Sequence, residues 1–185
     1  MIECRSLSKQ FGGRKAVDDL SFDVRPGVVT GFLGPNGAGK STTLRLMLDL
    51  DRGTGRTTFD GYRFQDLKDP IRQVGAVLEA RDFHPGRTAR NHLRMLAAGG
   101  GLDGSRVAEV LQLVGLGSVA DRRPGGFSLG MGQRLGLATA CSGIRARSSW
   151  TSPATASTRK GCAGCGICSR ALPPRAGRCW FPATS

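Results

Sequence analysis

The sequence predicts an α/β fold: a layer of strands and helices built around an anion-binding loop, preceded by a small antiparallel sheet and carrying a helical subdomain. Three observations predict it. Short apolar runs alternate with stretches of helical spacing along residues 1–140. A glycine-rich loop at residues 34–41 joins one such run to a helix. The composition then changes abruptly near residue 140, where the periodicity stops, so the layer is expected to be incomplete on its C-terminal side.

Taken in order, residues 2–7 and 17–24 alternate as strands do, with Gly12-Gly13 as a turn between them. Residues 28–33, VVTGFL, form a short apolar run of the kind a buried strand shows. Residues 41–50 place Leu44, Met47 and Leu48 at helical spacing. Residues 57–59 suit an edge strand and residues 74–78 a second buried one. Residues 89–97, 106–114 and 131–140 read as helices. Strands alternating with helices imply a mostly parallel sheet. There is no internal repeat.

The chain of 185 residues is long enough to bury a core. No apolar run reaches the roughly 18–20 residues of a membrane helix. The start, Met1-Ile2-Glu3-Cys4-Arg5, has an early acid and no apolar stretch behind it, unlike a signal peptide, so a cytosolic protein is expected. The net charge of +13 suggests a polyanion partner until its distribution is considered. Residues 1–140 hold 20 Lys+Arg against all 14 acids, +6; residues 141–185 hold 7 and no acid, +7. Five of the six cysteines (Cys141, Cys162, Cys165, Cys168, Cys179) and both tryptophans (Trp150, Trp180) also fall after residue 140. By pattern alone that tail is irregular or disordered.

The loop Gly34-Pro35-Asn36-Gly37-Ala38-Gly39-Lys40-Ser41 fits G-x-x-x-x-G-K-[ST] in full. Its glycines let backbone N–H groups turn inward around an anion. The helix that follows adds its N-terminal dipole. Lys40 is expected to reach the β- and γ-phosphates, and the Ser41 hydroxyl to bind Mg²⁺.

With Thr42, this loop reads GPNGAGKST, the form it takes in the ATP-binding subunits of ABC transporters, and three further segments resemble that family in order and spacing. Lys9-Gln10-Phe11-Gly12, ahead of residues 16–22, resembles the aromatic A-loop, which implies that Phe11 stacks on adenine, a contact worth roughly 1–3 kcal/mol. Residues 74–79, VGAVLE, stand at the Q-loop, with Glu79 where the family has Gln; a carboxylate there can still ligand Mg²⁺. Residues 127–135, FSLGMGQRL, resemble the signature motif, with Leu129 for a Gly and Met131 at the Gln place. The resemblance implies that Ser128 and Gly130, with the N-terminus of the next helix, bind the γ-phosphate held by a second ATP-binding subunit. Residues 84–93, HPGRTARNHL, and the S-L-G-M form of the signature resemble actinobacterial drug-resistance and antibiotic-exporter subunits. His84 and His92 lie in the segment resembling the helical subdomain, about residues 82–135, and are expected to be partly exposed and structural. The implied ligands are ATP and Mg²⁺. The implied partners are a membrane-spanning transporter subunit and a second cassette, with the chain peripheral on the inner face of the cell membrane.

The resemblance covers residues 1–140 and stops. The family also needs a Walker B Asp, a catalytic Glu, a D-loop and a later His, yet no Asp or Glu occurs after Asp121. Phosphoryl transfer depends on positioning and charge stabilisation, so no catalytic residue is assigned and steady hydrolysis is not expected. Missing strands would leave an open sheet edge and poor solubility. Loss of one nucleotide in the Ala140 codon accounts for the tail: residues 150–159 then permit L-D-E-P-G-D-G-L-D-P, residues 140–145 permit L-L-G-D-P, and residues 177–184 permit R-T-V-L-V-P-S-H. These match the missing motifs in order. The expected organisation is a partial ATP-binding domain over 1–140 and an out-of-frame, disordered tail over 141–185.

Two rival classes remain. A soluble ABC protein acting on nucleic acid or ribosomes would suit the basic charge, but half of that charge lies in the tail and no inserted arm is present, so no nucleic-acid partner is expected. Cys162-x-x-Cys165-x-x-Cys168, with Cys179, has metal-site spacing; in the out-of-frame reading each TGC is an accident of neighbouring codons.

Overall fold

The computed structural model describes residues 1–26, 30–78, 83–142, 166–169 and 178–183. Two long strands open the chain, β1 (Ile2–Phe11) and β2 (Arg14–Val24), paired antiparallel from Ile2↔Val24 to Phe11↔Arg14 around the Gly12-Gly13 turn. Strand β3 (Thr30–Leu33) leads into the loop and helix α1 (Lys40–Met47). Strand β4 (Thr54–Phe59) returns to the free edge of β1, giving a three-stranded antiparallel sheet in the order β2-β1-β4. Helix α2 (Pro70–Gln73) runs straight into β5 (Val74–Val77). Three helices follow: α3 (Ala89–Gly99), α4 (Ser105–Leu113) and α5 (Leu129–Ser142). Two strands from the tail, β6 (Gly166–Ser169) and β7 (Arg178–Ala183), complete a second sheet ordered β3-β7-β6-β5.

The expected elements are present, with the antiparallel strands longer than alternation alone marks. Three features differ from expectation. First, residues 166–169 and 178–183 are strands where the composition points to an irregular tail. Ile167, Trp180 and Phe181 favour extended backbone, and both segments pair with strands that otherwise present unpaired N–H and C=O groups. The rest of the tail after Ser142 lies outside the described residues. Second, the sheet is not mostly parallel: β3–β7 is parallel, while β5–β6 and β6–β7 are antiparallel. Residues 170–177 are too few for the crossover of about a dozen or more residues that parallel pairing needs. Third, β3 is not fully buried. Phe32 stacks on Phe22 at 5.7 Å, but Leu33 is 73% exposed.

Two cores result. One joins the antiparallel sheet, α1 and β5, with Ile2, Cys4, Leu7 and Val24 packed against Leu44, Met47, Phe59 and Val74. The other lies among the helices. Val107, Val110 and Leu111 of α4 follow helical spacing and meet Leu93, Ala97, Leu116 and Leu135. Each fully buried leucine there contributes roughly 1.5–3 kcal/mol. Helix α3 begins at Thr88, whose Oγ1 accepts from the Asn91 N–H at 3.2 Å.

Helix α5 connects the two cores. Leu135 and Ala138 face the helical core, while its last turn lies on β5. The approach there is close: a Cβ built on Gly75 would lie 2.0 Å from the Ala140 carbonyl oxygen, and one on Gly136 would lie 3.0 Å from Val77. Only residues without a side chain allow helix and strand to meet at that distance.

Candidate nucleotide-binding site

The loop from Gly34 to Gly39 leaves β3 and enters α1, the strand–loop–helix order that phosphate binding requires. Gly37 (φ 82°) and Gly39 (φ 81°) occupy the left-handed region, where a side chain is strained. Gly39 also abuts another strand: a Cβ there would lie 2.1 Å from the Ala16 carbonyl oxygen. This contact fixes the loop against the start of β2, which follows the turn next to Phe11. Loop and hairpin are thereby brought to the same end of the sheet.

Lys40 is the first residue of α1 and is 9% exposed. Its Nζ turns back across the loop and donates to the carbonyl oxygens of Gly34 at 2.5 Å and Pro35 at 2.7 Å. The ammonium is therefore held at the loop's centre by two acceptors, with a third donor position to offer an anion. The first intrahelical bond runs from the Thr43 N–H to the Gly39 carbonyl at 2.8 Å, and the Thr43 hydroxyl bonds the same carbonyl at 3.0 Å. The N–H groups of Lys40, Ser41 and Thr42 precede that bond and have no intrahelical acceptor. No acidic residue lies in the first turn to compete for them. The Ser41 side chain is exposed beside Lys40, and Asn36, Gly37 and Ala38 form the exposed lip. These groups suit the oxygens of a polyphosphate, and Ser41 presents a hydroxyl suited to a hard cation.

Phe11 stands at the end of β1, 52% exposed, with the Lys9 ammonium 4.8 Å from its ring centre. A core aromatic would be covered; this ring is presented to solvent, as a stacking platform must be. Glu79 lies outside the described residues. Ser128 and Gly130 are exposed at the start of α5. The Ser128 Oγ accepts from the Met131 N–H at 3.3 Å, so Ser128 caps the helix whose N-terminus it would share with a phosphate. The S-x-x-M spacing holds no acidic capping partner, so this role was hidden in the sequence behind the signature resemblance.

Of the histidines, His84 is exposed and its Nδ1 accepts from the Gly86 N–H. His92 is 8% exposed, more buried than expected; its ring stands edge-on to Phe83 at 5.1 Å, with Nε2 3.4 Å from the Thr139 hydroxyl. Among the described residues no cluster of His, Cys, Asp or Glu could hold a metal; Cys162 and Cys165 lie outside them. Cys4 is buried and hydrogen-bonded to Thr57 at 3.5 Å, and burial pushes its thiol up to about 11. Among the described residues no helix is long and apolar enough to cross a membrane.

The fold and the loop together define a P-loop ATP-binding cassette. The ABC transporter family profile matches residues 17–144, and the chain belongs to that family. It is 40% identical over 143 residues to the bacitracin transport ATP-binding protein BcrA of Bacillus licheniformis, covering 76% of this chain and 47% of that protein. It is 30% identical over 139 residues to the lantibiotic transport ATP-binding protein SrtF of Streptococcus pyogenes, covering 75% and 60%. The chain thus spans about half the length of the curated relatives it matches. Among solved structures, the ATP-binding subunit of an ABC transporter superposes with a TM-score of 0.63 at 27% identity, covering 76% of this chain and 61% of that one. An ATP-binding cassette solved as a dimer in a post-hydrolysis state with ADP and phosphate gives 0.65 at 25% identity, covering 77% and 70%.

Proposed function

We propose that residues 1–140 are the front part of the ATP-binding subunit of an ABC-type exporter, of the actinobacterial drug-resistance and antibiotic-exporter kind. The observation that carries this reading is the loop from Gly34 to Ser41, with Lys40 turned onto the Gly34 and Pro35 carbonyls at the head of α1. The relatives named for bacitracin and lantibiotic transport support the exporter assignment. In this reading Phe11 stacks on adenine, and the loop N–H groups, Lys40 and Thr42 bind the phosphates. Mg²⁺, held by Ser41 and Glu79, would offset phosphate charge. Ser128 and Gly130 serve the nucleotide held by a second cassette, so the working unit is a dimer on a separate membrane-spanning subunit, at the inner face of the cell membrane.

Binding and hydrolysis separate here. Residues 141–185 carry no acid, so the chain has neither the Walker B Asp nor a Glu to polarise water, and it binds nucleotide without turning it over at family rates. The tail is the out-of-frame translation of the missing half, beginning at the Ala140 codon. The strands β6 and β7 do not bear on the frame, because short extended pairing needs only backbone groups and a few β-forming side chains.

A fluorescent-nucleotide titration with Mg²⁺ tests the binding reading, and phosphate release tests the defect. Equal affinity of parent and Lys40→Ala would reject the site. Steady turnover by the chain as written would reject the defect. Sequencing the locus tests the frame: one base added near codon 140 must open a frame encoding L-D-E-P.

A further inference from the structure

The Phe11 ring has a cation fixed against it. Lys9 and Phe11 stand two residues apart on β1, so their side chains alternate onto the same face of the strand. The Lys9 ammonium lies 4.8 Å from the centre of the ring. That ammonium is anchored: it donates to the Arg52 carbonyl oxygen at 2.6 Å, in the turn between α1 and β4. The turn is pinned in its own right by the Arg45 guanidinium, which holds the Asp51 carboxylate at 3.0 and 3.1 Å. Lys9 therefore bonds a neutral carbonyl, and among the described residues no carboxylate forms an ion pair with it. Its charge remains available to the ring. The register of β1 on β2 slips by one residue just beyond Lys9, from Lys9↔Val17 to Gln10↔Lys15, which leaves Ala16 as the extra residue. The Ala16 carbonyl is the one that Gly39 abuts. One short stretch of hairpin thus sets both the ring and the phosphate loop.

We propose that Lys9 is a positioning residue for the adenine base: its ammonium covers one face of Phe11 and holds the ring so that the opposite face is presented for stacking. This deepens the nucleotide reading and rests on it. Phe11 is half-exposed at the end of a hairpin, and no other ring packs on it among the described residues. The lysine is what limits its rotation. A cation over an aromatic face is attracted by the ring quadrupole. It also draws π density toward its own side, which favours stacking of an electron-rich base on the other. An exposed contact of this kind changes affinity about two- to fivefold.

The test titrates the full chain calorimetrically with Mg-ATP and with magnesium tripolyphosphate, which offers phosphates and no base. Lys9→Met keeps the stem and removes the charge. It is expected to weaken Mg-ATP binding about two- to fivefold and to leave tripolyphosphate at the parent value, which also shows that the loop has folded. Lys9→Arg restores a cation and should restore ATP affinity. Phe11→Ala should weaken ATP binding about fivefold or more. Adding Lys9→Met to it should cost nothing further, since the lysine acts through the ring. Unchanged ATP affinity in Lys9→Met, an equal loss on tripolyphosphate, or a full further loss in the Phe11→Ala background would each overturn the proposal; the second would make Lys9 a phosphate contact or a structural prop. A parent that binds neither ligand would sink the nucleotide reading and this proposal with it, whereas ATP binding indifferent to Lys9 sinks this proposal alone.

Discussion

Gly37 and Gly39 offer a matched pair for measuring what fixes the phosphate loop. Both have φ near +80°, so alanine at either meets the same backbone strain, about 1–2 kcal/mol for an L-residue in the left-handed region. Their surroundings differ. A Cβ on Gly37 has no atom within 4 Å, whereas one on Gly39 would lie 2.1 Å from the Ala16 carbonyl oxygen and 3.3 Å from Val17. Real Cβ contacts essentially never fall below 3.0 Å, so loop and strand β2 must separate by nearly an ångström, adding about 1–3 kcal/mol of overpacking. Gly37→Ala should therefore destabilise by about 1–2 kcal/mol and Gly39→Ala by about 2–5 kcal/mol, a large share of a typical 5–15 kcal/mol. Urea unfolding followed by circular dichroism measures both. The same shift moves the Lys40 N–H away from the loop, so Gly39→Ala should also lose nucleotide affinity. Equal stability losses for the two variants would refute the idea that the Ala16 contact anchors the loop.

Lys40→Ala should weaken Mg-ATP binding by about tenfold or more in a fluorescence titration, since a hydrogen bond to a charged group contributes roughly 1.5–3 kcal/mol. Gly75→Ala should separate α5 from β5 and lower the urea midpoint with nucleotide affinity per folded molecule unchanged, because the clash with Ala140 is remote from the loop. Asp51, Asp103 and Asp121 titrate below the ordinary carboxyl value of 3.8 because of the Arg45 side chain, the Ser105 backbone N–H and the Arg90 side chain respectively. Folding depresses these values, so the stability they contribute is fully present above 3.8 and is lost as pH falls through each depressed value; replacing all three by Asn should flatten the acid limb of the urea midpoint against pH. Cys4, with its thiol raised to about 11, should resist iodoacetamide at pH 8 until the chain unfolds, when it should react at the rate of a free thiol.

The phosphate loop was legible because its chemistry dictates its letters: glycine where φ is positive, lysine at the helix head, a hydroxyl beside it. Helices α3, α4 and α5 were legible because their buried residues recur at helical spacing. What escaped was non-local. Gly75 reads as a weak point in a strand, and only the approach of α5 from 65 residues away gives it a reason. The stretched register of β1 on β2, with shifts between Cys4 and Leu7 and positive φ at Ser6 and Asp19, depends on both strands together. The pairing of β3 with β7 could not be read either, since Thr30↔Trp180 joins segments with no shared pattern. Ser128 was legible as a signature residue and not as a cap, because the same hydroxyl suits both.

The seam between α5 and β5 has a mechanical consequence. A helix that touches a strand through Gly75 and Gly136 leaves no layer of compliant side chains to absorb sliding. Helix α5 then acts as a stiff rod, held by the helical core along its length and clamped on β5 at its C-terminal turn, with Ser128 exposed at its other end. A load at the Ser128 end is delivered to β5 as torque, and Glu79 is the second residue after β5 in the sequence. Two ends of the molecule that share no contact would move as one lever, and amide exchange at Val77 should slow whenever the Ser128 end is held.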